Sequence, residues 1–535
     1  MSTEFESKTQ LTASSGWPDR LLRTTVTIVS ASFWGLYAPP TNWYWLQWFG
    51  LVPFFWVLRA DTPRENLSYS MVYGTVAVAS IFYWIADTIA LFSNIPFVGA
   101  VGVLLLFSFV FGLPFVALWA TVHPLRRRFG PLWILLLAAV QVLLEFAERY
   151  VFLFPYNGGA AQYQFTMMWQ IVSVTGVWGA SWAVFAANAT LAEVFYARRD
   201  GAALPARSLI AGWLLFLANL GFGAWRTSSV EHTLSTSKTL RVAQLQSDKG
   251  MQERLATSAR VTFDGWLQQT KEIKPGTADL VVWPEGASPY SLQQDKVAAV
   301  FGELARQGKF EMVVGGGARE RNPNTGAKTG MIAFNSVYYV DRAGKIDGRY
   351  DKMVPLPFGE YMPFRGTPLS FLLDWVEGVG DFRAGTEAVV LGREVRYATP
   401  ICYEATLGNV CRLFSKPDLL VTVTNDAWFG RTGQPYQHEM MAAVRATELG
   451  IPMFRAAYTG VSAIIEPHGK IRERTLPFEK VSRVVSVRLG NVPTLYAQWG
   501  DWFVLANAVF LTAALAAHRR KSRMKHPAPA TGGPP

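Results

Sequence analysis

Cysteine and histidine are scarce in this chain: two Cys and six His in 535 residues. Two thiols cannot build a disulfide framework, and no His/Cys/Asp spacing matches a metal-ligand set. No cofactor is implied, since VVGGGARE (313–320) lacks the Lys-Ser/Thr continuation of a phosphate loop. Charge is thin as well. Asp, Glu, Lys and Arg make up 17% of the residues, against about 25% in ordinary soluble domains. The N-terminus has no compact basic, apolar and small-residue cleavage pattern, so its first apolar stretch reads as retained. These absences argue against a disulfide scaffold, a His/Cys metal centre and a Gly-rich phosphate loop.

What is abundant is apolar surface. Half the residues are hydrophobic, 14% are aromatic and 20 are Trp. That is more than a soluble core needs. Crossing about 30 Å of hydrocarbon takes about 20 apolar residues. Segments 24–40, 42–58, 71–92, 97–122, 131–148, 171–197, 208–225 and 502–517 qualify. The sequence therefore predicts a multi-pass helical membrane bundle of about eight helices. The net charge of +11 could suggest nucleic acid, but the basic residues fall on alternate joints. Lys8, Arg20 and Arg23 precede the first segment. Arg59 and Arg64, then Arg126, Arg127 and Arg128, then Arg198, Arg199 and Arg207 fill the alternate joints, and Arg519, Arg520, Lys521, Arg523 and Lys525 fill the tail. This pattern puts both termini in the cytoplasm and the long 231–495 segment on the outer side. The basic excess then meets anionic lipid heads, not nucleic acid. Asp87, Glu145 and Glu148 sit inside or near apolar segments, where acidic groups are costly. The joint FLFPYNGGAAQYQF (152–165) is outer-facing, aromatic and glycine-rich.

From about 239 to 489 the texture changes. Segments 240–247, 278–286, 310–317, 331–341, 395–404, 418–426 and 451–467 read as strands. Helical patterns lie near 250–272, 291–307, 404–415 and 436–449. Their alternation predicts a layered α/β domain. The chain then divides into a bundle over 1–230, a catalytic domain over 231–495, a last membrane helix over 496–518 and a basic, disordered tail over 519–535.

Three strings carry chemistry. VVWPEGASP (281–289) ends a strand with Glu285, YDKMVPLPFGEYMPF (350–364) holds Lys352 and Glu360 on a loop, and ATPICYEATLGN (398–409) ends a strand with Cys402. Ligands gather at the carboxyl ends of strands in α/β folds. A free thiol is mostly protonated at neutral pH, and a carboxylate such as Glu285 can take its proton during attack. Lys352 offers a positive charge for the oxyanion. A helix starting at Cys402 would add backbone N–H groups. The product is a thioester able to acylate an amine.

Together these strings resemble the Glu–Lys–Cys triad of the nitrilase superfamily, whose domain is an αββα sandwich. Set between membrane segments, they resemble the apolipoprotein N-acyltransferase family, over roughly residues 20–518. That resemblance implies Glu285 as general base, Lys352 as oxyanion stabiliser and Cys402 as nucleophile. Glu360, Tyr403 and Glu404 match residues that support the site. It also implies a ping-pong reaction. An acyl chain passes from a phospholipid, typically phosphatidylethanolamine, through a Cys402 thioester to the α-amino group of a diacylglyceryl-cysteine lipoprotein. The enzyme would be a monomer in the inner membrane of a bacterium, with its catalytic domain in the periplasm. Phe358, Tyr361, Trp428 and Tyr458 are candidate substrate contacts, and Phe364, Phe371, Leu372 and Trp375 would meet acyl chains. Tyr458 departs from the small polar residue expected there.

Competing readings are plain. Cys402 and Cys411 could be inert buried thiols. His438 offers a rival Cys–His pair. The domain could be a membrane-tethered amidase releasing its acyl group to water, or a catalytically dead appendage of a lipid-binding or transport protein.

Overall fold

The computed structural model describes residues 17–93, 95–151, 154, 156–322, 330–363 and 381–525. Its apolar segments are helical: Trp17–Tyr37, Pro63–Ile81, Trp84–Phe92, Phe97–Phe111, Leu113–Phe129, Trp133–Glu148, Val177–Arg199, Ala206–Ser235 and Trp502–Lys525. Among the described residues, Phe97–Glu148, Ala206–Ser235 and Trp502–Ser522 are long and apolar enough to cross a membrane. Pro63–Ile81 and Trp84–Phe92, bent by 61° where they meet, form a fourth such unit if taken together. Trp17–Tyr37 and Val177–Arg199 are more polar, because they bury Arg23, Thr27 and Ser30, and Ser181 and Asn188, against their neighbours.

Several boundaries differ from the sequence reading: segment 71–92 breaks between Ile81 and Trp84, and segment 171–197 breaks at Gly176. Segment 42–58 is not one helix: it splits into the 3₁₀ turn Tyr44–Trp48 and the six-residue helix Val52–Val57. Gly50 and Pro53 interrupt it. Residues 519–525, read as disordered, continue the last helix to Lys525. Residues 526–535 lie outside the described residues.

The basic joints meet at one end of the bundle. Arg59 pairs with Asp19 at 2.6 Å, Arg23 with Glu65 at 2.6 Å, and Arg126 with Glu193 at 2.8 Å and Asp200 at 3.0 Å. Arg127 donates to the Ala60 carbonyl.

Among the described residues the β-rich segments form twelve strands: β1 Lys238–Gln246, β2 Leu280–Trp283, β3 Glu311–Arg321, β4 Met331–Val340, β5 Ile346–Asp351, β6 Val390–Leu391, β7 Tyr397–Ala398, β8 Leu419–Thr424, β9 Met453–Ala457, β10 Ala463–Ile465, β11 Ile471–Arg472 and β12 Val481–Leu489. They make two sheets, ordered β12-β1-β2-β3-β4-β5 and β11-β10-β9-β8-β7-β6. Strands β1, β2 and β3 run parallel, as do β7, β8 and β9. Alternate side chains separate the layers. Val242, Leu280, Val282 and Val313 face the second sheet's Leu419, Val421 and Val423 in one core. Their neighbours Ala243, Val281, Trp283 and Val314 face Phe263, Trp266 and Phe301 from helices Ala259–Lys271 and Asp295–Gly308. Helix Gln434–Leu449 covers the second sheet, completing an αββα sandwich.

That last helix also joins the two halves. Gln437 Nε2 donates to the Ile81 carbonyl at 3.0 Å, and its Oε1 accepts from Trp84 Nε1 at 3.1 Å. Gly433 N donates to Tyr83 OH at 2.9 Å. The 61° bend between Pro63–Ile81 and Trp84–Phe92 is thus pinned by the α/β domain. Gln437→Leu should leave the Ile81 carbonyl and the Trp84 indole unpaired and cost about 1–3 kcal/mol. A lowered Tm in detergent-solubilised protein checks this; an unchanged Tm contradicts it.

Candidate active site

The site forms where several chain segments leave their strands. Glu285 follows β2, Lys352 follows β5, Cys402 follows β7 and Asn425 follows β8. The sheets bring together residues 67 positions apart: Lys352 Nζ lies 3.4 Å from Glu285 Oε1. It lies 2.5 Å from Glu360 Oε2. Asn335, on β4, donates from one Nδ2 to Glu285 Oε1 at 2.7 Å and to Glu360 Oε1 at 2.5 Å. Asn425 N donates to Glu285 Oε2 at 2.8 Å, and Leu356 N to Glu360 Oε2 at 2.7 Å. Every oxygen of the two carboxylates is thereby engaged. Lys352 is 1% exposed. Burial alone would discharge it, but the charges of Glu360 and Glu285 outweigh burial and hold its ammonium above the usual lysine range.

Cys402 starts the 3₁₀ turn Cys402–Thr406. The helix expected over 404–415 is instead this turn and a separate four-residue helix Gly408–Cys411, so a macrodipole contributes little. Its φ is +50°, a left-handed conformation that L residues with a side chain rarely hold. Burial pushes its thiol up, Glu285 pushes it further, and Lys352 opposes both. The net direction is upward, so the resting thiol is protonated and attack requires a base.

Two networks hold this strained turn. Glu404 accepts from Ile401 N at 2.8 Å, Met353 N at 2.7 Å, Val354 N at 3.0 Å and Tyr350 OH at 2.8 Å. One buried carboxylate thus ties the Cys402 turn to the Lys352 loop. On the other side, His438 Nε2 lies 3.0 Å from the Cys402 carbonyl oxygen and Nδ1 lies 2.9 Å from Asp426 Oδ1. Arg455 Nη2 donates to Asp426 Oδ2 at 2.7 Å. His438 therefore engages the nucleophile's backbone, which disfavours the rival Cys–His pair. Cys411 contacts the Glu404 carbonyl at 3.4 Å and packs in the core.

Beside Cys402 lies a narrow cavity of about 50 Å³. Tyr403, Leu356, Phe429, Met440 and Met441 line it from the domain, and Phe82, Trp84, Phe154 and Tyr156 from the bundle. Of the expected substrate contacts, none of Phe358, Tyr361, Trp428 and Tyr458 lines this cavity. Phe358 is 39% exposed in a turn closed by its N–H to the Tyr361 carbonyl. Trp428 packs against Phe92 with ring centroids 4.9 Å apart and planes tilted by 52°. Tyr458 is core, packed on Trp266 at 5.2 Å with Arg254 over its ring. Phe364, Phe371, Leu372 and Trp375 fall outside the described residues. The sequence reading missed Asn335 and the Arg455–Asp426–His438 chain. An asparagine inside the strand IAFNSVYYV was the available signal, since Asn is depleted in strands.

Among the described residues, Glu231, Glu466 and His468 bring potential ligand atoms within 4.8 Å of one another. Arg488 and Arg472 already pair with Glu466, and Arg488 and Lys470 with Glu231, so local cations neutralise the cluster.

Residues 239–491 match the carbon-nitrogen hydrolase family, and residues 30–190 match the apolipoprotein N-acyltransferase N-terminal domain. The chain is 32% identical to the apolipoprotein N-acyltransferase of Geobacter metallireducens over 89% of this chain and 92% of that one. The chain belongs to the apolipoprotein N-acyltransferase family. A second member, from Azotobacter vinelandii, is 30% identical over 96% of this chain and 98% of its own. A solved carbon-nitrogen hydrolase from Helicobacter pylori G27 aligns with 49% of this chain and 94% of its own, at 15% identity and a TM-score of 0.34. The protein is an acyltransferase of lipoprotein maturation: a nitrilase-fold domain joined to a helical region with apolar helices.

Asp426 and Arg455 are both fully buried. Burial would raise the Asp426 carboxyl, but Arg455 and His438 outweigh it and hold the group below its ordinary 3.8. Its stabilisation is therefore present above that value and is lost as pH falls through the lower folded value. Asp426→Ala should strand Arg455 and cost about 3–5 kcal/mol. Thermal unfolding checks the cost, and an unchanged Tm contradicts it.

Proposed function

We propose that Cys402 carries the acyl group between two substrates. Glu285 takes the Sγ proton as sulfur attacks the ester carbonyl of a phospholipid, typically phosphatidylethanolamine. Lys352 stabilises the oxyanion. The C–O bond breaks, Glu285 returns the proton to the leaving lysophospholipid oxygen, and a thioester remains. The α-amine of a diacylglyceryl-cysteine lipoprotein then attacks that carbonyl and the C–S bond breaks. The amine proton passes through Glu285 to sulfur, leaving an amide. Glu360 holds Lys352 in place, and Glu404 and Tyr403 fix and flank the nucleophile.

The observation that carries this reading is the setting of Cys402: a buried thiol within electrostatic reach of the Lys352–Glu285 pair, opening into an apolar cavity walled by the bundle. Both substrates are amphiphiles. Drawing a chain out of lipid costs about 0.8 kcal/mol per CH₂, so a cavity shared with the bundle lowers the barrier to loading.

The same reading places residues 1–230 and 496–518 in the inner membrane of a bacterium, crossing it eight times with segment 42–58 as a broken crossing. The 231–495 domain works in the periplasm and the protein is a monomer. The ion-paired basic joints at one end of the bundle support the orientation.

Mass spectrometry of protein incubated with phosphatidylethanolamine should find an acyl adduct on Cys402 and none in Cys402→Ala. Adduct on the variant, or none on active wild-type protein, contradicts the reading. Glu285→Gln should slow adduct formation by about 10²–10⁴-fold; a change of less than tenfold would show that another group takes the proton. A diacylated lipopeptide should end as an amide. Free fatty acid as the main product would favour an amidase.

A further inference from the structure

Most polar groups around the Cys402 cavity are already paired. Gln437 is held by Ile81 and Trp84, and His438 by Asp426 and the Cys402 carbonyl. Thr406 donates to the Tyr403 carbonyl. Gln434 is different. Its residue is 7% exposed, it lines the cavity, and its Oε1 has no hydrogen-bond partner. Tyr156 OH, in the opposite wall, also has none. A buried amide oxygen without a partner is a costly arrangement that a folded chain keeps rarely.

Position gives this atom meaning. Gln434, Gln437, His438 and Met441 recur at helical spacing and share the face of helix Gln434–Leu449 turned to the cavity. Gln434 is one turn, about 6 Å along the axis, from the histidine that grips the Cys402 carbonyl. The remaining lining is aromatic, aliphatic or thioether. An acyl chain can fill that lining, but it offers nothing to an amide oxygen. Gln434 Oε1 can only accept, and a phenolic hydroxyl can accept as well. The complementary group is an N–H donor close to the thioester.

We propose that Gln434 is a positioning residue for the acyl acceptor: its carboxamide oxygen, with the Tyr156 hydroxyl, accepts N–H groups of the primary amine that resolves the acyl-enzyme. The assignment rests on the acyl-enzyme reading above. It separates the reacting groups by chemistry, since the scissile ester offers only acceptors and gains nothing from Oε1, whereas the attacking amine offers donors.

The test uses full-length protein in detergent with phosphatidylethanolamine as donor and a synthetic diacylated lipopeptide as acceptor. Gln434→Met keeps the length and removes the acceptor; Gln434→Glu keeps an acceptor and removes the donor. Methionine should raise KM for the lipopeptide about tenfold, the loss expected for one hydrogen bond to a charged or polar partner. Glutamate should bring that KM back to within about threefold of wild type by the same argument. The inference is overturned if methionine leaves the lipopeptide KM unchanged, if glutamate is as damaging as methionine, or if methionine slows acyl loading of Cys402 as much as it weakens the acceptor. A wild-type Cys402 that never takes up an acyl group would instead remove the acyl-enzyme reading, and this inference with it.

Discussion

An ammonium with almost no contact with water is the constraint around which this domain is arranged. Lys352 is buried, and an isolated buried charge is too costly to keep. Glu360 at 2.5 Å and Glu285 at 3.4 Å make it tenable. Those carboxylates in turn need donors, which Asn335, Asn425 N and Leu356 N provide. The cluster draws on β2, β4, β5 and β8, so both sheets must be in register before it closes. A charge held this way cannot relax when an oxyanion forms beside it, which is the condition for preorganised electrostatic stabilisation.

The nucleophile obeys a second constraint. A left-handed cysteine is strained, and it persists only where its surroundings over-determine it. Glu404 grips the turn from the Lys352 side and His438 from the bundle side. His438 belongs to the helix that also pins the 61° bend between Pro63–Ile81 and Trp84–Phe92. Bent apolar helix pair, covering helix and nucleophile are therefore one mechanical unit. The cavity wall contributed by Phe82 and Trp84 has a fixed relation to Cys402 for the same reason.

Legibility from sequence followed physical locality. Buried strands such as LVVW and LLVTVT announce themselves by unbroken apolar runs, and the chemistry-bearing residues stand directly after them. The four edge strands β5, β6, β11 and β12 did not announce themselves. IDGRYD and VSRVVSVRL mix charge with apolar residues because one face meets water or ion pairs, as Arg488 does with Glu231. Asn335 and the Arg455–Asp426–His438 chain were hidden because their roles exist only through contacts made across the sheet and between layers. Tyr458 looked like a site residue by neighbourhood. Its side chain points to the opposite layer, where Trp266 receives it. In the bundle, Gly50 and Pro53 broke a segment that hydropathy alone counted as continuous.

The cavity beside Cys402 is walled by both the bundle and the domain, and the account stands or falls on what occupies it. The decisive measurement is a structure of the protein trapped as its acyl-enzyme. The account predicts a thioester on Cys402 with its carbonyl oxygen within hydrogen-bonding distance of Lys352 Nζ and its chain between Trp84, Phe154 and Phe429. A chain leaving the site along another face, or a carbonyl turned away from Lys352, would contradict it.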